Sequence, residues 1–352
     1  MTGGKTYLEP AIEPIAYESG VIRLLDQRRL PNEEVWLDIH DLSSFDMAVR
    51  SLAVRGAPLL GIAAGYGISV GLRESIRKGN GLSEDIYNKV KATVAATRPT
   101  ARNLFDTIER IDRVYQDART LDAEEIVAAI EAEARRIHER ERANCLAIAS
   151  NGATLLRGRV ITHCNTGVLA TGGVGTAFGA IHAAYADGRI DSVWVDETRP
   201  LLQGARLTAW ELKRIGIPHR ILCDSAAASL VSRGMVDAAI VGADRIAANG
   251  DAANKIGTLG LALICNRFGV PFYIAAPTTT FDDSIRSGAE ITIEQRPESE
   301  IMGFGKCRWA PVGSSAENPA FDVTPADLIT AIITEKGIIE KPNPTKIAAS
   351  MG

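Results

Sequence analysis

The stretch from Ala238 to Leu261, AAIVGADRIAANGDAANKIGTLGL, decides the fold. It predicts a buried strand over Ala238–Val241, then a loop carrying Asp244, then a helix whose first turns hold Asn254 and Lys255. A carboxylate thus leaves an apolar strand, and an amide and an ammonium follow it. In open α/β sheets ligands bind outside the carboxyl ends of the strands. A small anionic ligand is therefore expected here.

Working outward, the text from Gly158 repeats the same unit. Strand RVITHC precedes a helix from about Gly172 to Tyr185; strand SVWVDE precedes a helix from Gln203 to Ile215; strand HRILC precedes helix SAAASLVSRG. AAIVGA, NKIGTLGLALICNRFG and PFYIAAP continue the series. Strands separated by helices of this length need right-handed crossovers, which predicts a parallel, doubly wound sheet. Further on, TPADLITAIITEKG predicts a helix with Thr324 as cap, Pro325 at its first position and Gly337 closing it.

Upstream the pattern differs. Alternating residues around VIRLLDQRRLP and EEVWLDI predict a small antiparallel sheet within residues 7–40. FDMAVRSLAVRGAP is helical until Gly56 and Pro58 interrupt it, leaving Arg55 in a loop. The apolar helix from Leu59 ends before ATRPT, where Pro99 starts a new helix and sets Arg98 at its entrance. DAEE from Asp122 is a capping box opening a helix that runs to Asn151, with RRIHERER as a solvated charged face. The fold class is α/β: a mainly helical N-terminal domain with a small antiparallel sheet, residues 1–144, and a doubly wound parallel-sheet domain, residues 145–352.

At 352 residues, two domains sharing a cleft are the natural expectation. A net charge of −4, with no basic stripe interleaved with aromatics, argues against nucleic acid. The start, MTGGKTYLEPAIEP, lacks a charged and then apolar leader, which predicts a cytoplasmic protein. The longest apolar run, Ala57–Leu72, is bounded by Arg55 and Arg73 and falls short of the roughly 20 residues that span a bilayer, so no membrane association is expected. Cys145, Cys164, Cys223, Cys265 and Cys307 show no CxxC pair and read mostly as buried thiols.

Chemistry gathers at few positions. Cys164, in THCNTG, and Asp244 share one sheet edge by topology. Desolvation of a carboxylate there suits it to acid/base work, while a helix cap or a pair with Arg245 is the structural alternative. A core thiol is the alternative for Cys164, and His163 points to the opposite face of its strand by alternation. Arg55 with the Gly56 and Ala57 backbone, Arg98, and Asn254 with Lys255 form candidate phosphate donors. Gln203 can donate to a sugar hydroxyl or serve in a turn. Gly173, Gly175 and Gly179, followed by Asp196, imitate a dinucleotide fingerprint, but NTGVLATG intervenes between Cys164 and Gly172, which disfavours a nucleotide. No phosphate-loop motif and no metal-ligand spacing is present, so neither cofactor nor metal is expected.

VRGAPLLG, TRPTARNL, THCNTGVLATGGVGTA, VDETRPLLQGARLTAWEL, VGADRIAANGDAANKIGTLGLA, VPFYIAAP and NPAFDVTPADLITAIITEKG together closely resemble the methylthioribose-1-phosphate isomerases of methionine salvage. This family is related to the non-catalytic regulatory subunits of the translation initiation exchange factor and to isomerases of ribose 1,5-bisphosphate and 5-deoxyribose 1-phosphate. The resemblance runs from about Arg50 to Gly337. It implies a Rossmann-like second domain without nucleotide, a homodimer, and isomerisation of a phosphosugar substrate. By position it implies Cys164 and Asp244 as the catalytic pair, with Arg55, Gly56, Ala57, Arg98, Gln203, Asn254 and Lys255 around the substrate. The chain departs from the family pattern in NTGVLA, where NAGALA is commoner, and in Arg102, one helical turn after Arg98. Arg102 reads as a solvent-facing helix residue, with a second phosphate as the alternative.

Overall fold

The computed structural model describes residues 8–98 and 102–351. The chain forms two compact units, one from Pro10–Cys145 with Gly167–Gly175, the other built on Leu146–Thr166 and the residues from Thr176 onward. The return of Gly167–Gly175 to the first unit has no counterpart in a boundary after residue 144.

In the first unit, Ile15–Glu18 (β1), Val21–Leu25 (β2) and Trp36–Ile39 (β3) pair antiparallel in the order β1-β2-β3. Helices Leu42–Arg50 (α1), Ala57–Arg77 (α2), Glu84–Ala95 (α3) and Arg102–Ala118 (α4) follow. Pro99, expected to open α4, lies outside the described residues. Every residue of α2 from Leu59 to Leu72 is buried, as expected of a helix apolar on all sides. Among the described residues no helix is long and apolar enough to cross a membrane.

Ala123–Ala153 (α5) begins with the expected capping box: Asp122 Oδ1 accepts the Glu125 N–H at 2.9 Å, and Glu125 Oε2 accepts that of Asp122 at 3.2 Å. Its RRIHERER run is not a wholly solvated face, because His138 and Glu141 are buried. His138 reaches Tyr66 Oη at 3.0 Å and the Gly172 carbonyl at 3.3 Å, so it packs the unit from within.

The second unit carries Gly158–Thr162 (β4), Ile190–Asp196 (β5), His219–Leu222 (β6), Ala238–Val241 (β7), Arg245–Ala247 (β8), Ala252–Lys255 (β9) and Phe272–Ala275 (β10). Phe281–Asp282 (β11), Gly303–Phe304 (β12), Cys307–Arg308 (β13), Phe321–Thr324 (β14), Ala331–Thr334 (β15) and Gly337–Glu340 (β16) complete it. The main sheet runs β16-β15-β10-β7-β4-β5-β6, parallel except for the antiparallel edge β16. Its parallel strands follow the doubly wound order, reversing between β4 and β7.

Alternate residues serve opposite faces. Val160, Ile240, Tyr273 and Ile333 pack one core, whereas Ile161, Val241, Ile274 and Ile332 pack the other. A sheet buried on both sides reads as near-continuous apolar text, which is why these strands were legible.

Three expectations fail. TPADLITAIITEKG is no helix: Thr324 ends β14, Ala326–Leu328 forms a 3₁₀ turn, and β15 and β16 make a hairpin closed at Gly337. Its AIIT core is β-branched and buried on both faces, and cross-strand pairing outweighs the local start and stop signals. Asn254 and Lys255 lie on β9, paired with β14, and their helix starts only at Thr258. The helix expected from about Gly172 starts only at Ala177 (Ala177–Ala186, α7); a separate turn, Val168–Thr171 (α6), precedes it, with Gly172 left-handed between them.

Candidate active site

Cys164 follows β4 and Asp244 follows β7. The two strands are parallel neighbours, with Ile161 opposite Ala239, so both residues emerge where the strand order reverses. The Asp244 N–H donates to the Ala253 carbonyl at 2.9 Å. That bond ties the acid to β9, which carries Asn254 and Lys255.

The Cys164 backbone is left-handed, with φ +63°, as are Thr198 and Leu202 nearby. Such conformations cost of order 1–3 kcal/mol in a non-glycine residue and persist only where the surroundings hold them. Here Thr198 Oγ1 accepts the Cys164 N–H at 2.8 Å, and Thr208 Oγ1 donates to the Cys164 carbonyl at 2.6 Å. Thr208 closes a π-helical turn, Gly204–Thr208, and buried Asn165 donates to it at 3.2 Å and to the buried Glu211 at 2.7 Å.

Gln203 precedes that turn, buried, with its Oε1 lacking any hydrogen-bond partner. A buried amide oxygen left unsatisfied is costly unless a ligand completes it. Asn254 donates to Thr258 Oγ1 at 2.9 Å. Lys255 Nζ donates to the Ala320 carbonyl at 2.8 Å and lies 4.7 Å from the Phe321 ring centroid. These two side chains are held by β14 and the start of Thr258–Phe268 (α8), not by a helix turn of their own.

In the other unit, a Cβ at Gly61 would come 3.0 Å from the Asn103 carbonyl, and one at Gly65 3.5 Å from Thr107 Cγ2. Successive turns of α2 therefore meet successive turns of α4, the helices run the same way, and their N-terminal ends share one side of that unit. Arg55, Gly56 and Ala57 stand at that end; Arg98 precedes α4, separated from it by residues 99–101, which lie outside the described residues. Gly56 has φ +95°, and a Cβ there would lie 2.5 Å from the Ala170 backbone, so only glycine fits. No side chain caps α2, leaving its amides to attract an anion. Arg55 Nε donates to Gln27 Oε1 at 3.2 Å. Arg102 is half-buried, not solvent-facing, and its Nε is buried without a hydrogen-bond partner.

A buried acidic cluster stands beside Cys164. His163 Nδ1 lies 3.0 Å from Asp196 Oδ2, and His163 Nε2 lies 2.8 Å from the Ile256 carbonyl. Burial works against the imidazolium, but the Asp196 hydrogen bond and charge, with Asp224 beyond, raise the His163 pKa above its ordinary value. Burial also raises that of Asp196. Atoms of His163, Asp196 and Asp224 come within 4.8 Å of one another, a spacing able to hold a metal ion. Yet each Asp224 oxygen already accepts a backbone N–H, from Thr198 and Arg199, at 2.7 Å. Hydrogen bonds organise the cluster. Sequence reading missed His163 and Asp196 as partners because their pairing spans adjacent strands.

The sequence model of the Initiation factor 2 subunit family matches residues 53–341. The methylthioribose-1-phosphate isomerase of Syntrophotalea carbinolica is 48% identical over 94% of this chain and 96% of its own. That of Azotobacter vinelandii is 47% identical over 97% and 96%. The crystal structure of 5-methylthioribose 1-phosphate isomerase from Pyrococcus horikoshii OT3 superposes with a TM-score of 0.89 at 37% identity, covering 98% of this chain and 96% of that one. Translation initiation factor eIF-2B, subunit delta, from A. fulgidus gives 0.81 at 37% identity, covering 96% and 99%.

Proposed function

The chain belongs to the methylthioribose-1-phosphate isomerases of the Initiation factor 2 subunit family, and we infer that it converts 5-methylthioribose 1-phosphate to 5-methylthioribulose 1-phosphate in methionine salvage. It is an intramolecular aldose–ketose isomerase acting on a sugar 1-phosphate. The observation that supports the assignment of residues is that Cys164 and Asp244 follow neighbouring parallel strands at the reversal of the sheet.

Because the anomeric oxygen is esterified, the ring cannot open to a free aldehyde. Asp244, as the acid, gives a proton to the ring oxygen as the C1–O bond breaks, leaving an oxocarbenium at C1. Hydrogen then passes from C2 to C1, and the C2 hydroxyl proton returns to the Asp244 carboxylate as the ketone forms. C1 is reduced while C2 is oxidised, so the balance closes within the substrate. Cys164 stabilises the charge that develops beside it. Gln203 serves a sugar hydroxyl, and Asn254 and Lys255 serve the phosphate; the family resemblance adds Arg55, Arg98 and the Gly56 and Ala57 amides as substrate-binding groups.

The family resemblance supports a cytoplasmic homodimer, and sedimentation of purified protein tests the dimer. The likeness to eIF-2B subunit delta favours a second reading, a non-catalytic binding subunit. Turnover of 5-methylthioribose, 5-deoxyribose and ribose 1-phosphates and of ribose 1,5-bisphosphate separates these readings. The highest kcat/KM is expected for the methylthio sugar. A higher value for another sugar reassigns the substrate, and inertness toward all four restores the binding subunit.

A further inference from the structure

Next to Cys164, the His163 ring is held between two acceptors, the Asp196 carboxylate and the Ile256 carbonyl. Nε2 must carry hydrogen to satisfy the carbonyl. A second proton must then lie between Nδ1 and Oδ2, since two lone pairs facing each other at 3.0 Å repel. His163 and Asp196 are 1% and 2% exposed. Asp224 and Asp322 add negative charge around the ring, and Asp224 and Glu197 act on Asp196. Losing the shared proton would strand a buried anion among acids, and burial makes that expensive.

The pair also joins the two parts of the site in this unit. On one side, Thr198 Oγ1 donates to the Asp196 carbonyl at 3.0 Å and accepts the Cys164 N–H. On the other, the ring lies against the turn after β9: Gly257 has φ +105°, and a Cβ there would come 2.8 Å from His163 Cε1. Asp322 holds the same turn by accepting the Gly257 and Leu259 N–H groups at 2.8 and 3.0 Å. Thr258, within that turn, accepts from Asn254 and donates to the Lys255 carbonyl at 2.7 Å. A movement of the Ile256 carbonyl is therefore passed to both substrate donors.

We propose that His163 and Asp196 are a proton-sharing positioning pair that locks the Ile256–Thr258 turn, and with it Asn254 and Lys255, to the sheet edge bearing Cys164. The proposal rests on the isomerase reading for its kinetic consequence but not for its protonation. His163→Gln keeps an N–H able to reach Ile256 but no shared proton; Asp196→Asn keeps a hydrogen bond to neutral His163 but cannot titrate. Expected results are a KM for 5-methylthioribose 1-phosphate raised about tenfold in His163→Gln with kcat within about threefold, and loss in Asp196→Asn of an alkaline limb present in the wild-type kcat/KM profile. Nuclear magnetic resonance of nitrogen-labelled protein reads the proton itself: at neutral pH His163 shows hydrogen at both ring nitrogens or an acid proton on Asp196. A kcat loss without a KM change, an alkaline limb that survives Asp196→Asn, or a singly protonated ring beside an ionised Asp196 each overturns the pair. If the wild-type protein turns over no sugar phosphate, the isomerase reading fails alone and the resonance titration still decides the proposal.

Discussion

Thr198 and Cys164 are joined by a hydrogen bond from the Cys164 backbone N–H to Thr198 Oγ1 at 2.8 Å, and both residues are left-handed. One strained residue holds another at the carboxyl edge of the sheet, and Thr208 holds the Cys164 carbonyl from the other side. The thiol is thus presented by a backbone that its neighbours, not its own preference, maintain.

Asp244→Asn removes the proton that opens the ring but keeps the side-chain shape. General acid/base groups contribute roughly 10²–10⁴-fold, so kcat is expected to fall by about 10³-fold with KM within threefold. Steady-state kinetics on 5-methylthioribose 1-phosphate check this. Near-normal turnover would remove Asp244 from the chemistry.

Direct passage of hydrogen from C2 to the C1 oxocarbenium keeps the label in the molecule. Substrate deuterated at C2 is expected to give product with deuterium at C1, read by mass spectrometry. Washout into solvent would show an enediol route and a base at C2.

Thr208→Val deletes the hydroxyl that satisfies the Cys164 carbonyl while keeping the branched shape. A buried acceptor left unsatisfied costs about 1–3 kcal/mol, and kcat is expected to fall about tenfold with little change in KM. The variant's melting temperature separates lost positioning from lost folding, and an unchanged kcat refutes the role.

His138 gives stability a pH dependence. Burial, then the nearby Arg142 charge, hold its pKa below the ordinary histidine value, so the native state binds fewer protons than the unfolded one. Its contribution is complete above the unfolded value of about 6.5 and is lost as pH falls from there toward the folded value. His163, raised, contributes with the opposite sign. Melting between about pH 7.5 and 5.5 should fall more in wild type than in His138→Gln; equal falls would refute the assignment.

By itself the sequence determined what is local. Apolar strands buried on both faces, the Asp122–Glu125 capping box and the placement of Cys164 and Asp244 after strands all follow from nearest neighbours and periodicity. Tertiary structure alone decided what depends on distant partners. AIIT became a strand because β10 and β16 were available to pair with it, and Asn254 and Lys255 joined β9 because β14 arrives some 65 residues later. Gly167–Gly175 returned to the first unit, and His163 found Asp196 across the sheet. Each outcome turns on a hydrogen bond or packing face supplied by another part of the chain, and no local period encodes which part that will be.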